Sequence, residues 1–387
     1  MDNEVRLGII GLGNMGNYYA RSILEGEVPG LQLRAVCDMD ESRVASFEKE
    51  GVTPFTGTDE LFKSGAVDAV QIATPHYFHT TLGIAALEAG LHVLVDKPIS
   101  VHKADCERLI AAHTNKDLVF AGMFNLRTDP HFLKLKSLIE SGEFGRINRV
   151  QWTVTDWFRS DIYYVSGGWR ATWKGEGGGV LINQCPHQLD LWQWLFGMPT
   201  EIYAQCDLGR FHEIEVEDAV TALMRYEDGM TGVFISTTGE APGVNRLEIA
   251  TERGLVLYEN NLIRWRRNET ESSAFCKEST QGFAKPDSWE VEIPIEGNGE
   301  QHMGVFKNFV AAIRGEANLL YPAQEGVGSV ELANLILFSG IKKQPVSLPL
   351  DSAEYEILLN KLISESTFEK KVVETKVETD MSASFQK

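Results

Sequence analysis

The segment Gly11-Leu12-Gly13-Asn14-Met15-Gly16 directly follows the apolar run Val5–Ile10 and opens a stretch with helical spacing of apolar residues. In that setting each glycine has a separate task. The first permits a tight turn, the second lets backbone approach a phosphate with no Cβ in the way, and the third lets helix and strand pack closely. The helix start then offers N–H groups and a dipole end that favour an anion. Asp38 closes the second apolar run, 22 residues after Gly16, where a carboxylate can hydrogen-bond an adenosine ribose. The same carboxylate repels a 2′-phosphate, so the pattern predicts NAD over NADP, a preference that nearby Arg43 softens.

Two further groups could act on a substrate. The run His92–Val95 leads straight into Asp96-Lys97-Pro98, and ligands of open α/β sheets bind outside the carboxyl ends of such strands. Pro98 keeps the backbone of Lys97 out of the helical region, which holds the lysine at the strand end. The lysine reads either as a site residue or as a solvated one. Farther on, Trp169-Arg170, Gly177-Gly178-Gly179 and Asn183-Gln184-Cys185-Pro186-His187 bring aromatic, polar and imidazole groups close together in sequence. His187 falls in the first turn of an apolar helix over 188–196, where the dipole favours the neutral ring that a general base requires. A structural histidine bonded within the helix start fits the same position. Cys185 and His187 have no further ligand at metal spacing nearby, and no metal is expected.

Elements must position these groups. From Val5 to about Met123, β-rich runs at Val5–Ile10, Leu31–Cys37, 69–73, His92–Val95 and 118–121 alternate with helical stretches, the pattern of a doubly wound parallel sheet. A helix over 130–141 ends at Gly142. Beyond it come long alternating runs at 147–155, 202–207, 219–226, 230–237 and 246–258, with Asp228-Gly229 as a hairpin signal. They predict an α+β domain built on a large, open, mainly antiparallel sheet. Helices over 304–314 and 327–338 follow. The boundaries read 1–123, 124–364, and a mobile tail over 365–387 poor in periodicity.

Composition sets the outer limits. A chain of 387 residues exceeds the usual size of one core, so two domains are expected. The net charge of −19 argues against nucleic acid and anionic membrane as partners. No apolar stretch approaches bilayer length, and the start Met1-Asp2-Asn3-Glu4 lacks a secretory pattern, which together predict a cytoplasmic protein. Five widely spaced cysteines with no CxxC pair predict reduced thiols.

The glycine loop, Asp38, Thr74-Pro75, Asp96-Lys97-Pro98 and the Gly-Gly-Gly to His187 stretch, in this order, resemble the Gfo/Idh/MocA family of sugar and inositol dehydrogenases. The family's Glu-Lys-Pro appears as Asp96-Lys97-Pro98, and Thr74-Pro75-His76-Tyr77-Phe78-His79 matches its Thr-Pro-x-x-x-His loop beside the nicotinamide. The resemblance implies a Rossmann domain joined to an open-sheet domain that often pairs in a homodimer or homotetramer. It implies that Lys97 and His187 are catalytic. Asn125 falls among the cofactor contacts, while Arg127, Trp169 and Arg170 fall among the substrate contacts. Asn183 stands where the inositol dehydrogenases carry aspartate, and an amide can orient a hydroxyl but cannot carry its proton. The implied activity is NAD-dependent oxidation of a sugar, glycoside or cyclic polyol. The family also implies two alternatives, a glycosidase or lyase that oxidises its sugar transiently and a cofactor-sensing regulator.

Overall fold

The computed structural model describes residues 4–372. They divide into two compact units, the first taking residues through Thr128, then Lys174–Gly177 and Glu300–Glu331, and the second taking Asp129–Trp173, Gly178–Gly299 and the chain from Leu332. Of the tail expected over 365–387, residues 373–387 lie outside the described residues.

The first unit is a six-stranded sheet in the order β3-β2-β1-β4-β5-β6, with every neighbouring pair parallel. Its strands are β1 (Val5–Ile10), β2 (Leu31–Cys37), β3 (Thr53–Phe55), β4 (Ala69–Ile72), β5 (His92–Val95) and β6 (Phe120–Gly122). β4 is buried at every position, as strands covered on both faces must be, and three of its four residues are apolar, with Gln71 the exception. Helices α1 (Asn14–Leu24), α2 (Glu41–Glu48), α3 (Thr58–Lys63), α4 (Tyr77–Glu88) and α5 (Lys103–Ala112) make the crossovers. The short elements β3 and α3 are too brief to stand out by periodicity, and the sequence reading passes over them. A late segment completes the core: Phe306, Phe309 and Val310 of the helix Gln301–Ile313 are buried with Leu7, Tyr19 and Ile23.

The second unit carries a nine-stranded sheet in which only one neighbouring pair runs parallel. That pair is β7 (Ile147–Val154) and the strand Thr231–Thr237. β7 alternates half-buried with buried residues, as in a sheet with one covered face. The run expected over 246–258 is two strands, Asn245–Thr251 and Gly254–Glu259, paired antiparallel. Gly254 forces the division, since it sits at φ +120 and a Cβ there would come within 1.9 Å of the Arg266 carbonyl oxygen. The strands Leu262–Asn268 and Ser288–Ile293 extend this edge. Among the described residues, no helix is long and apolar enough to cross a membrane.

Candidate active site

In the first unit the glycine loop joins β1 to α1, and its three glycines differ in what surrounds them. A Cβ on Gly11, at φ +90, would lie 2.7 Å from the Ala73 carbonyl oxygen, and one on Gly16 would lie 1.8 Å from that of Gly11. Around Gly13 there is open space to 4 Å. The loop is thus packed on two sides and open on the side where a pyrophosphate would approach. Gly13 is also the cap residue of α1, with no side chain bonded there, and Asn14 and Met15 form the first turn.

Asp38 lies just past β2. Its carboxylate accepts from the backbone N–H of Leu12 at 2.7 Å and of Asp40 at 3.0 Å, which fixes it against the loop. Arg43 donates to it at 3.3 Å from a half-exposed position. This pair partly neutralises the carboxylate, in the direction expected from the sequence.

At the ends of β4 and β5 lie Thr74-Pro75 and Asp96-Lys97-Pro98. His79 ties them: its ring nitrogens meet the carbonyl oxygens of Pro98 at 2.7 Å and Thr74 at 2.8 Å. A neutral imidazole fills one of these contacts with its single N–H, and burial holds the ring's pKa below the ordinary value. The Asp96 carboxylate accepts from the Lys97 backbone N–H at 2.8 Å and from the buried Tyr19 hydroxyl at 3.1 Å. Asp96 therefore shapes the lysine's backbone. The Lys97 side chain is half-buried, and its charge lowers the proton affinity of both His79 and His302. For His302 burial is the larger cause, and together they bring its pKa down to about 3.

Several polar atoms in this unit are buried and meet no hydrogen-bond partner among the described residues, Thr74 Oγ1 and Asn125 Oδ1 among them. The Asn125 amide nitrogen donates to Gln301 at 3.0 Å, so its orphaned oxygen has a fixed direction. Orphaned buried oxygens are rare in a folded chain and point to a ligand. With the open Gly13 and the anchored Asp38, they fit a dinucleotide. His76 is also buried here, close to His79. Arg127 differs from its expected place among substrate contacts. It is 2% exposed, ion-paired with the half-exposed Glu325, and its guanidinium lies over Phe124.

In the second unit the short helix Val180–Asn183 and the helix Pro186–Phe196 carry Asn183 and His187. Pro186 and His187 open the second of these, as Pro at a helix start allows. Glu217, fully buried, holds the turn before them by accepting from the N–H groups of Gly179 at 2.8 Å and Leu181 at 3.2 Å. A Cβ on Gly179 would strike the Glu217 backbone oxygen at 1.9 Å, which accounts for the last of the three glycines.

Tyr163 is a centre of this site that sequence reasoning misses, because no motif marks it. Its hydroxyl accepts from Arg170 at 2.7 Å and from Gln184 at 3.2 Å, and donates to Asn183 Oδ1 at 3.1 Å. Gln184 also donates to Asn183 Oδ1 at 3.0 Å. The Asn183 oxygen is thus held by two donors. Trp169 lies under the Arg170 guanidinium, 4.9 Å from ring centre to carbon. The described end of the chain secures this loop: Lys370 donates to the Arg170 carbonyl, and Ser366 bonds Glu215, which accepts from the Trp173 N–H.

Residues 5–123 match the profile of the Gfo/Idh/MocA oxidoreductase family, NAD-binding Rossmann fold, and residues 132–257 match that of the Gfo/Idh/MocA C-terminal domain. The chain belongs to the Gfo/Idh/MocA family. Its first unit is an NAD-binding Rossmann domain, and the protein is an oxidoreductase. Within this family, a myo-inositol 2-dehydrogenase of Thermotoga maritima is 26% identical over 266 residues, 66% of this chain and 75% of that one. The WlbA dehydrogenase of Bordetella pertussis, solved with NADH and UDP-GlcNAcA, is similar at a TM-score of 0.76 and 26% identity, covering 90% of this chain and all of the other. A levoglucosan dehydrogenase solved with NADH and levoglucosan shares the fold, with a TM-score of 0.74 at 21% identity over 90% of this chain and 100% of that one.

Proposed function

We propose that the protein transfers hydride between NAD and a hydroxyl or keto carbon of a sugar, glycoside or cyclic polyol. One observation carries the reading: Lys97 stands at the carboxyl end of β5, its backbone N–H held by the Asp96 carboxylate, and His79 ties this segment to the Thr74 end of β4. A fixed cation of this kind stabilises a developing alkoxide without reorganisation. Bound NAD supplies the hydride acceptor.

His187 takes the hydroxyl proton on a ring nitrogen. Asn183 positions the substrate, its own amide held by Tyr163 and Gln184. Trp169 offers a flat face for the C–H side of a sugar ring. Thr74, His76, His79 and Asn125 line the nicotinamide end, while Asp38 holds the adenosine ribose. The names of the relatives, one an inositol dehydrogenase and others solved with sugars, support this substrate class.

Single-turnover hydride transfer tests the assignment. Lys97→Met and His187→Ala should each slow it by about 10²-fold or more with NAD affinity unchanged. Near wild-type rates in both would overturn it. One NADH formed per substrate consumed separates net oxidation from transient oxidation.

We infer also that the outward face of the large sheet meets a second copy. Tyr203 and Leu223, 47% and 51% exposed, stand opposite each other in register, and Val233 continues their row. Neighbouring exposed apolar side chains of this kind mark an interaction surface.

A further inference from the structure

Five side chains beside Asn183 alternate ring and cation. The Arg159 guanidinium lies over Trp157 at 5.3 Å and over Tyr163 at 5.1 Å, and that of Arg170 lies over Tyr163 at 4.7 Å and over Trp169 at 4.9 Å. Two cations thus share one tyrosine ring. Cation–π attraction holds each guanidinium between two rings, and its N–H groups serve acceptors. Arg159 gives one such donor to the Phe158 carbonyl at 3.0 Å, and Arg170 gives one to the Tyr163 hydroxyl at 2.7 Å. A guanidinium has five N–H groups, so most of each fork is uncommitted.

Neither arginine meets a carboxylate within ion-pair distance among the described residues. That is unusual for this chain, which holds 55 acidic residues against 36 lysines and arginines. Most of its other arginines are paired with acids: Arg6 with Asp68, Arg127 with Glu325, Arg149 with Glu248. A purely structural stack gains from a carboxylate at its edge, because two like charges on one ring repel. Stacking also removes water from the guanidinium faces, which strengthens a charge-assisted bond at their edges.

The geometry points to an oxyanion-binding site formed by Arg159 and Arg170, which takes a carboxylate or phosphate carried by the carbohydrate substrate. This rests on the proposed function, since the hydrogen-bond path from Arg170 through Tyr163 ends on Asn183, the amide assigned to substrate. The substrate class narrows from neutral polyols to anionic sugars. Guanidinium forks match the planar pair of oxygens in a carboxylate and the oxygens of a phosphate equally well.

Binding to the full chain saturated with NAD, followed by calorimetry, tests this with glucose, glucuronate and glucose 6-phosphate as probes. At low salt at least one anionic sugar should bind about tenfold or more tighter than glucose, and the difference should shrink as potassium chloride is added. Arg170→Gln and Arg159→Gln should each remove most of that preference while NAD affinity stays the same. Arg170→Lys should keep part of it, as a point charge without the fork. A preference for glucuronate identifies the carboxylate as the source, and one for glucose 6-phosphate identifies the phosphate. Equal binding of all three, or a preference that survives both glutamine variants, overturns the site. If a glutamine variant fails to fold, the salt dependence of the unaltered protein decides. Failure of the catalytic assignment reads out elsewhere: Lys97→Met would then retain hydride transfer whether or not the anion preference holds.

Discussion

The Tyr163 hydroxyl accepts two hydrogen bonds and donates one, which is its full capacity. It therefore orients groups and cannot relay a proton. Replacing it with phenylalanine leaves the ring for Arg159 and Arg170 to stack on but frees Asn183 to rotate. Tyr163→Phe should raise KM about tenfold, with a smaller effect on kcat and none on NAD affinity; steady-state kinetics with the identified substrate check this. Of the residues that matter at this scale, those with a local signature were legible in the sequence: the three glycines, Asp38, Lys97 and His187 each stand at the end of an element. Tyr163, Glu217, Tyr19 and His302 were not, because their roles come from contacts between distant parts of the chain. Tyr19 is simply an apolar position of α1 until Asp96 is seen beneath its hydroxyl. Arg127, expected among the substrate contacts, is buried and paired with Glu325, a partner that its sequence neighbours do not reveal.

At the scale of elements, the β1-loop-α1 unit leaves almost no freedom in its third glycine. With the Gly11 carbonyl oxygen 1.8 Å from a Cβ on residue 16, Gly16→Ala must push α1 away from β1. NAD binding should fall at least about a hundredfold by fluorescence titration, with a loss of about 1–3 kcal/mol in stability, since overpacking against backbone cannot be relieved by a rotamer change. Gly13→Ala should leave stability nearly unchanged and weaken only NAD binding, because its surroundings are open. The parallel strands were legible because burial on both faces makes them mostly apolar. The last strands of the large sheet were not, since Leu262–Asn268 and Ser288–Ile293 carry arginine and glutamate on their outward sides, paired as Arg266–Glu290 and Arg264–Glu292. Their alternation is that of an exposed edge, which reads like loop sequence when composition alone is weighed.

Two expectations belong to the whole molecule. His302 is buried neutral, with its pKa brought from 6.5 to about 3. The unfolded chain binds this proton near the ordinary value, so between about pH 6.5 and 3 the unfolded state holds more protons than the folded one. Stability is therefore lost as pH falls through that window. His302→Phe should flatten this part of the Tm-against-pH profile and leave the profile above pH 7 in place. The second expectation concerns assembly. Leu223→Lys places a charge in the apolar row of the large sheet, and sedimentation velocity should show a shift from dimer or tetramer to monomer, with each unit still folded by circular dichroism.

The return of the Gln301–Ile313 helix to the first unit has a bearing on how the protein is made. When Thr128 leaves the ribosome, every strand of the parallel sheet has been synthesised, yet Phe306, Phe309 and Val310 are still untranslated. The core around Leu7, Tyr19 and Ile23 then lacks one wall, and each missing aromatic forgoes about 1.5–3 kcal/mol of burial. The nascent NAD-binding unit must wait for eight of the nine strands of the large sheet before it closes, so its closure comes late in synthesis. The first 128 residues made alone should expose apolar surface and precipitate, and supplying residues 300–331 on a short linker should restore a soluble, NAD-binding fold.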